Sequence, residues 1–170
     1  MKNTDTKEKI LELMFNYPLR NFHLREISRL LKISPPAISK AINKLEKEKL
    51  ITLNKKFLYE IKANLEDKFR NAKRVYNLKS IYSSGLLSYL KEKFPLDTII
   101  LFGSYSKGED TEKSDIDISI EGNEKKLELE EYEKRLMKKI NIEFINFKKI
   151  SKELRDNIIN GIVLSGHIRT

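Results

Sequence analysis

The chain has 170 residues, 39% of them hydrophobic, enough for one ordinary domain or two small ones; having no cysteine, it can hold no disulfide framework, thiolate metal site or cysteine nucleophile. No apolar run approaches the roughly 20 residues of a membrane span, and the opening MKNTDTKEK lacks the apolar core of a signal peptide, so a soluble cytoplasmic protein without membrane contact is expected. The net charge of +9 is uneven: residues 1–62 carry 14 Lys/Arg against 7 Asp/Glu, residues 63–97 carry 7 against 4, and residues 98–170 carry 13 against 14. Such asymmetry points to a polyanion partner for the front and a different task for the near-neutral remainder.

The first element is a helix over Thr6 to Tyr17, with a stripe of Ile10, Leu11, Leu13, Met14 and Tyr17 and a cap at Asp5 or Thr6. Residues 24–32 give a second helix with Leu24, Ile27, Leu30 and Leu31 inward. His23, just before it, reads as a structural or cap residue. Ser34 followed by Pro35 marks the N-cap and first position of a third helix, about Pro35 to Lys49, burying Ile38, Ala41, Ile42 and Leu45. Its polar side presents Pro36, Ser39, Lys40, Asn43, Lys44 and Lys47. The stretch 50–61 reads as two strands around Lys55-Lys56.

Three helices with a tight turn between the second and third, followed by two strands, resemble a winged helix-turn-helix over residues 1–63. The resemblance implies a double-stranded DNA partner. The third helix would enter a groove with Ser39, Lys40, Asn43, Lys44 and Lys47, and Lys55 and Lys56 would stand on the wing. A solvated helix face and a protein-contact module are the competing readings.

Residues 64–97 are helical by pattern, with Leu65, Phe69, Ala72 and Tyr76, then Ile81, Leu86, Leu87, Leu90 and Phe94 recurring at three- and four-residue spacing. Gly85 is placed to kink the segment. Lys68, Arg70, Lys73, Arg74 and Lys79 read as an exposed basic face, and the whole as a helical bridge that packs on the sheet to follow.

That sheet begins with Thr98 to Phe102, a β-rich apolar run stopped by Gly103-Ser104, where backbone without Cβ can lie against a ligand. Gly108 closes a short turn or helical piece. The chain resumes as Asp115-Ile116-Asp117-Ile118-Ser119-Ile120, and period two sends both aspartates to one face and the isoleucines to the other. Adjacent carboxylates stay ionised together only with a cation between them or good hydration. Hard divalent ions, Mg²⁺ or Mn²⁺, suit such oxygens together with substrate phosphates.

At these residues the sequence resembles the nucleotidyltransferases of the DNA polymerase beta superfamily: an apolar residue and Gly-Ser (Phe102-Gly103-Ser104), ten residues, then Asp115-Ile116-Asp117. GSYSKGE followed by SDIDI is most similar to the small minimal members, some of which act as antitoxins by transferring a nucleotide to a partner toxin. The resemblance implies a third carboxylate on a later strand, matched at Ile142-Glu143-Phe144, with Glu where Asp is commoner. It also implies Asp115, Asp117 and Glu143 as metal-binding and catalytic residues, with Gly103, Ser104, Lys107 and Ser114 around an NTP, ATP being expected. Independently, Glu143 is the sole charge in Ile140 to Phe147, and a lone carboxylate in a buried strand is costly unless paired.

Between the two strands, Asn123 to Lys139 reads as an amphipathic helix with Leu129, Tyr132, Leu136 and Met137 inward and i,i+4 pairs Glu130 with Lys134 and Glu131 with Arg135. A helix from Ser151 to Asn160, a stop at Gly161 and a short strand or packed tail at Ile162 to Leu164 complete the chain. The expected whole is an α+β protein: a winged helix (1–63), a helical bridge (64–97) and a small mixed-sheet nucleotidyltransferase domain (98–170). Its expected partners are an NTP, DNA, an acceptor such as a toxin protein, and a second copy in a homodimer. A DNA-binding regulator whose nucleotidyltransferase-like domain only senses nucleotide is the alternative.

Overall fold

The structure, a computed structural model, describes residues 5–54 and 59–168. The chain divides into two compact units, Met1–Lys73 and Arg74–Thr170.

In the first unit, α1 (Thr6–Asn16) is capped by the Asp5 side chain, which accepts the Lys7 N–H. It buries Ile10, Met14 and Phe15, so the inward set turns from Leu11, Leu13 and the exposed Tyr17 toward Phe15. A two-residue strand β1 (Phe22–His23), unforeseen in the sequence, precedes α2 (Leu24–Leu31). His23 is the N-cap residue of α2. Its N–H donates to the Glu26 carboxylate, and its ring lies 3.3 Å from the Tyr59 carbonyl, which bears out a structural role. Leu30 is a correction: it is 52% exposed, and Ile27 is the fully buried residue of the helix.

Helix α3 (Pro35–Lys47) buries Ile38, Ala41, Ile42 and Leu45 as its spacing requires. Ser34 is at the N-cap but makes no side-chain cap bond. Strands β2 (Ile51–Asn54) and β3 (Glu60–Ala63) pair antiparallel, and β3 also pairs with β1. Lys55 and Lys56 lie outside the described residues. The first turns of α4 (Asp67–Ser84) complete this unit, with the Phe69 ring 5.1 Å from that of Phe15.

The second unit takes the rest of α4, then α5 (Leu86–Lys93), β4 (Thr98–Phe102), α6 (Gly103–Lys107), β5 (Ile116–Glu121), α7 (Glu130–Leu136), β6 (Ile140–Ile145), α8 (Lys152–Ile159) and β7 (Ile162–Ser165). The sheet order is β6-β5-β4-β7, with β5 and β6 parallel and the other pairs antiparallel, a small mixed sheet as expected. Gly85 breaks the long helical segment at φ 85°, and Ile81, Leu86, Leu87, Leu90 and Phe94 pack on Ile99, Leu101, Ile116, Ile118 and Ile120. Burying each such side chain contributes about 1.5–3 kcal/mol. The opposite face, Ile100, Phe102 and Ile145, packs with Ile158 of α8.

Three further expectations are corrected. Lys73 is 1% exposed rather than part of the basic face. The helix expected over 123–139 is confined to Glu130–Leu136, because the preceding segment bonds to α5 instead: the Glu128 N–H donates to the Tyr89 hydroxyl (2.9 Å) and the Lys125 ammonium to the Lys93 carbonyl (2.7 Å). Met137 takes a left-handed conformation beyond that helix and is 65% exposed, although the Glu131–Arg135 pair forms. Gly161 directly follows the Asn160 cap of α8, as a stop there requires, but without a positive φ. A Cβ there would strike the Leu101 carbonyl, so close approach to β4 selects glycine.

Candidate functional site

Strand β4 is buried throughout and ends at Gly103, whose φ of 70° favours a residue without Cβ. The register pairs Phe102 with Asp117, and a Cβ on Gly103 would run into the Asp117 carboxylate. The backbone at the start of α6 therefore lies directly against that carboxylate. Asp115, just ahead of β5, is exposed and Asp117 half-buried, while Ile116, Ile118 and Ile120 are fully buried on the other side. Strand alternation puts both aspartates on one face.

Ser104 is half-buried in the first turn of α6, and Lys107 is exposed at its end. Gly108 terminates the helix in the left-handed region, φ 73°. The Ser106 hydroxyl donates to the Gly103 carbonyl at 2.8 Å, fixing the turn. Ser114 is committed to its own loop, since its hydroxyl accepts the Thr111 N–H at 2.9 Å.

Glu143 lies on the same strand face as Asn141, opposite Ile142 and Phe144, which pack on the main core. Its register partner is Ser119. The residue beside Asp117 is Asn141, whose side-chain amide donates to the Asp117 carboxylate at 3.3 Å. Strand β6 is also an edge strand and Glu143 is half-buried, so the argument from a lone charge in a buried strand does not hold. Among the described residues no three acidic or histidine side chains are grouped closely enough to hold a metal ion. Asp115 and Asp117, hard oxygen donors beside an open glycine backbone, are nonetheless the donor type that Mg²⁺ or Mn²⁺ takes.

A buried polar cluster behind this face was not foreseen. The Asn77 amide donates to the Asp110 carboxylate at 2.7 Å and to the Tyr105 carbonyl at 2.9 Å. Lys138 forms an ion pair with Asp110 at 3.3 Å, with side-chain exposures of 9% and 1%, and donates to the Thr111 and Ser114 carbonyls. Burial, and then the Asp110 charge, push the Tyr105 hydroxyl well above its ordinary pKa. Each link joins residues about 24–33 positions apart, which no periodicity encodes.

In the first unit Lys40, Asn43, Lys44 and Lys47 are exposed and Ser39 half-buried on α3, opposite its buried stripe. They form one polar helical face.

Residues 84–167 match the family model described as polymerase beta, nucleotidyltransferase. Three proteins of Methanocaldococcus jannaschii are similar to part of the chain. "Putative protein adenylyltransferase MJ1379" is 46% identical over 55 residues, covering 28% of this chain and 55% of its own length. "Putative protein adenylyltransferase MJ0128" is 52% identical and "Putative protein adenylyltransferase MJ0126" 50% identical, each over 48 residues, 25% of this chain and 49% of theirs. The chain spans about half the length of the curated relatives it matches. No solved structure matches it significantly. Over residues 84–167 the C-terminal unit is thus similar to nucleotidyltransferase domains. Among the described residues no helix is long and apolar enough to cross a membrane.

Proposed function

We propose that this protein is a metal-dependent nucleotidyltransferase that moves a nucleoside monophosphate from an NTP, ATP foremost, to an acceptor hydroxyl on a protein. We further propose that its front unit is a winged helix that binds double-stranded DNA. The observation that carries the enzymatic reading is the close approach of the Gly103 backbone to the Asp117 carboxylate, with Asp115 on the same face. A triphosphate on the Gly103-Ser104 backbone then lies next to both carboxylates, with Lys107 near by. Asp115 and Asp117 would hold Mg²⁺ or Mn²⁺, which would offset the repulsion between carboxylates and phosphates.

The acceptor oxygen attacks the α-phosphorus, the bond to the β-phosphate oxygen breaks, and pyrophosphate leaves with the electron pair. Glu143 takes the hydroxyl proton. The names of the relatives favour an adenylyl group and a protein acceptor. For DNA, the support is the polar face of α3 and the +7 of residues 1–62, 14 basic against 7 acidic.

Among the four α-³²P NTPs, ATP foremost should label one acceptor in lysate with the wild type and not with Asp117→Ala. Calorimetry should show NTP binding only with divalent metal present. Equal NTP affinity with and without chelator would overturn the metal assignment.

One observation favours the sensor reading, in which the domain binds nucleotide without transfer: Asn141, not an acid, stands next to Asp117. Glu143→Gln separates the two readings. The enzyme loses transfer and keeps nucleotide binding, whereas the sensor shows no transfer even as wild type and changes its DNA affinity when NTP and metal are added.

A further inference from the structure

We propose that Asp110 and Lys138 form a buried clamp that positions the loop ahead of Asp115 against the root of β6, making them positioning residues for the carboxylate face. The inference rests on the nucleotide site proposed above.

Three observations carry it. First, both charges are withdrawn from water, at 1% and 9% side-chain exposure, in a loop that could have been closed with neutral residues. Burying an ion pair costs several kcal/mol per ion before attraction is counted, so it adds little stability while fixing geometry. Second, the Lys138 ammonium gathers three oxygens of one short loop: the Asp110 carboxylate and the carbonyls of Thr111 and Ser114. Two of the ammonium N–H groups donate to the carbonyls, and the charge faces the Asp110 carboxylate as an ion pair. The loop ends at Asp115, so its carbonyls set where that side chain starts.

Third, the clamp reaches α6, the loop ahead of Asp115 and the chain leading into β6, three of the segments that bear or adjoin candidate groups. Lys138 follows Met137, whose left-handed turn (φ 53°) sends the chain into β6 with Asn141 and Glu143. Glu133 secures the same corner by accepting the Ile140 N–H at 3.1 Å and the Lys139 ammonium at 3.0 Å. On the other side, Asn77 bonds both Asp110 and the carbonyl of Tyr105, in the helix that starts at Gly103. One cluster thus holds α6, the 110–114 loop and β6 in fixed relation. Between them Asn77 and Lys138 bond backbone in α6 and in the loop, which side chains that only filled space would not need to do.

The test uses the full chain, with Mn²⁺ and a non-hydrolysable ATP analogue as probes in calorimetry, on the wild type, Asp110→Asn, Lys138→Met, Lys138→Arg and the control Lys134→Met. Lys134 is exposed on α7, so its loss changes charge without touching the clamp. Expected is a fall in metal-dependent nucleotide affinity of about 10- to 100-fold in Asp110→Asn and Lys138→Met, the usual cost of losing a supporting partner. Lys138→Arg should recover much of it, and Lys134→Met should match the wild type. Folded Asp110→Asn and Lys138→Met with wild-type affinity would overturn the clamp.

Hydrogen exchange gives a readout independent of nucleotide. Faster exchange confined to residues 109–117 in Lys138→Met supports the clamp, and unchanged or evenly raised exchange overturns it. A wild type that binds no nucleotide would end the proposed function, while the exchange result would still decide the clamp. Should Lys138→Met fail to fold, Asp110→Asn and Lys138→Arg carry both measurements.

Discussion

The two candidate surfaces differ in how they are specified. Around Gly103 and Asp117, backbone conformation, register and side-chain type constrain one another: only glycine fits at φ 70° against that carboxylate. On α3, Lys40, Asn43, Lys44 and Lys47 need only be polar to satisfy the fold, since the buried stripe opposite does the packing. A site whose residues are tied to backbone geometry leaves a sharp pattern in sequence. A polar helix face leaves a loose one, and its function rests on charge.

The largest effect should come from breaking the first surface at its tightest point. Gly103→Ala must move the Asp117 carboxylate and strain a left-handed residue, at about 1–3 kcal/mol of stability. A displacement near 1 Å can lower catalysis about 100-fold, so label transfer should fall by at least that much. Gly85→Ala is the matched control. It bears the same kind of strain at φ 85°, but its Cβ would meet only Arg135 and Tyr132 side-chain atoms at 3.7 and 3.9 Å. Thermal melts should move similarly for both variants, and transfer should drop only for Gly103→Ala. Equal transfer losses would mean that Gly103 matters for folding alone.

The α3 face should yield a smaller and more graded response. Lys40→Ala with Lys44→Ala should reduce the salt slope of duplex binding by about 2, one per phosphate contact, and weaken binding evenly across sequences. Asn43→Ala should act mainly on sequence preference. Binding isotherms at several salt concentrations decide this, and an unchanged slope would assign the face to a protein partner or to solvent. The full chain is the right material. A fragment ending at residue 62 would lose Phe69, whose ring packs on Phe15.

The same contrast explains what the sequence disclosed. Strand β4, the Gly-Ser turn, the Gly108 stop, the alternation of Asp115 and Asp117 and the break at Gly85 follow from local rules and were legible. The Asn77, Asp110 and Lys138 cluster was not. Each of its members looks like an ordinary surface residue until β6 and α4 are brought to the loop between them. Residues 124–129 misled for a related reason: their helical spacing was outcompeted by hydrogen bonds to Tyr89 and Lys93, some 32–39 positions away. Glu143 was assigned to the correct face, but its register partner, Ser119, depends on how β6 pairs with β5.

Tyr105 tests the buried cluster through pH. Its folded pKa is raised, so the folded state holds the phenolic proton more tightly than the unfolded chain. The associated stability is complete below the ordinary tyrosine value of about 10 and falls as pH rises beyond it. Tyr105→Phe removes the ionisable group, and urea melts at increasing pH should then decline less steeply than those of the wild type. Parallel slopes would place the alkaline loss elsewhere.

The smallest effect distinguishes two serines at equivalent places in the two units. Ser151 is the N-cap of α8, and its hydroxyl accepts the Leu154 N–H at 3.3 Å; Ser34 is the N-cap of α3 and makes no such bond. Replacing a bonded cap by alanine costs about 1 kcal/mol, because an orphan N–H loses its partner. Pro35 at the first position already lacks an N–H and presets φ for the helix, so α3 relies less on its cap. Ser151→Ala should therefore lower stability by about 1 kcal/mol in urea melts, and Ser34→Ala by no more than a few tenths. If the front unit binds DNA through the start of α3, Ser34→Ala should weaken duplex affinity more than it weakens the fold, because a hydroxyl not engaged in capping can bond a phosphate. A stability loss at Ser34 equal to that at Ser151 would instead show its hydroxyl serving the helix.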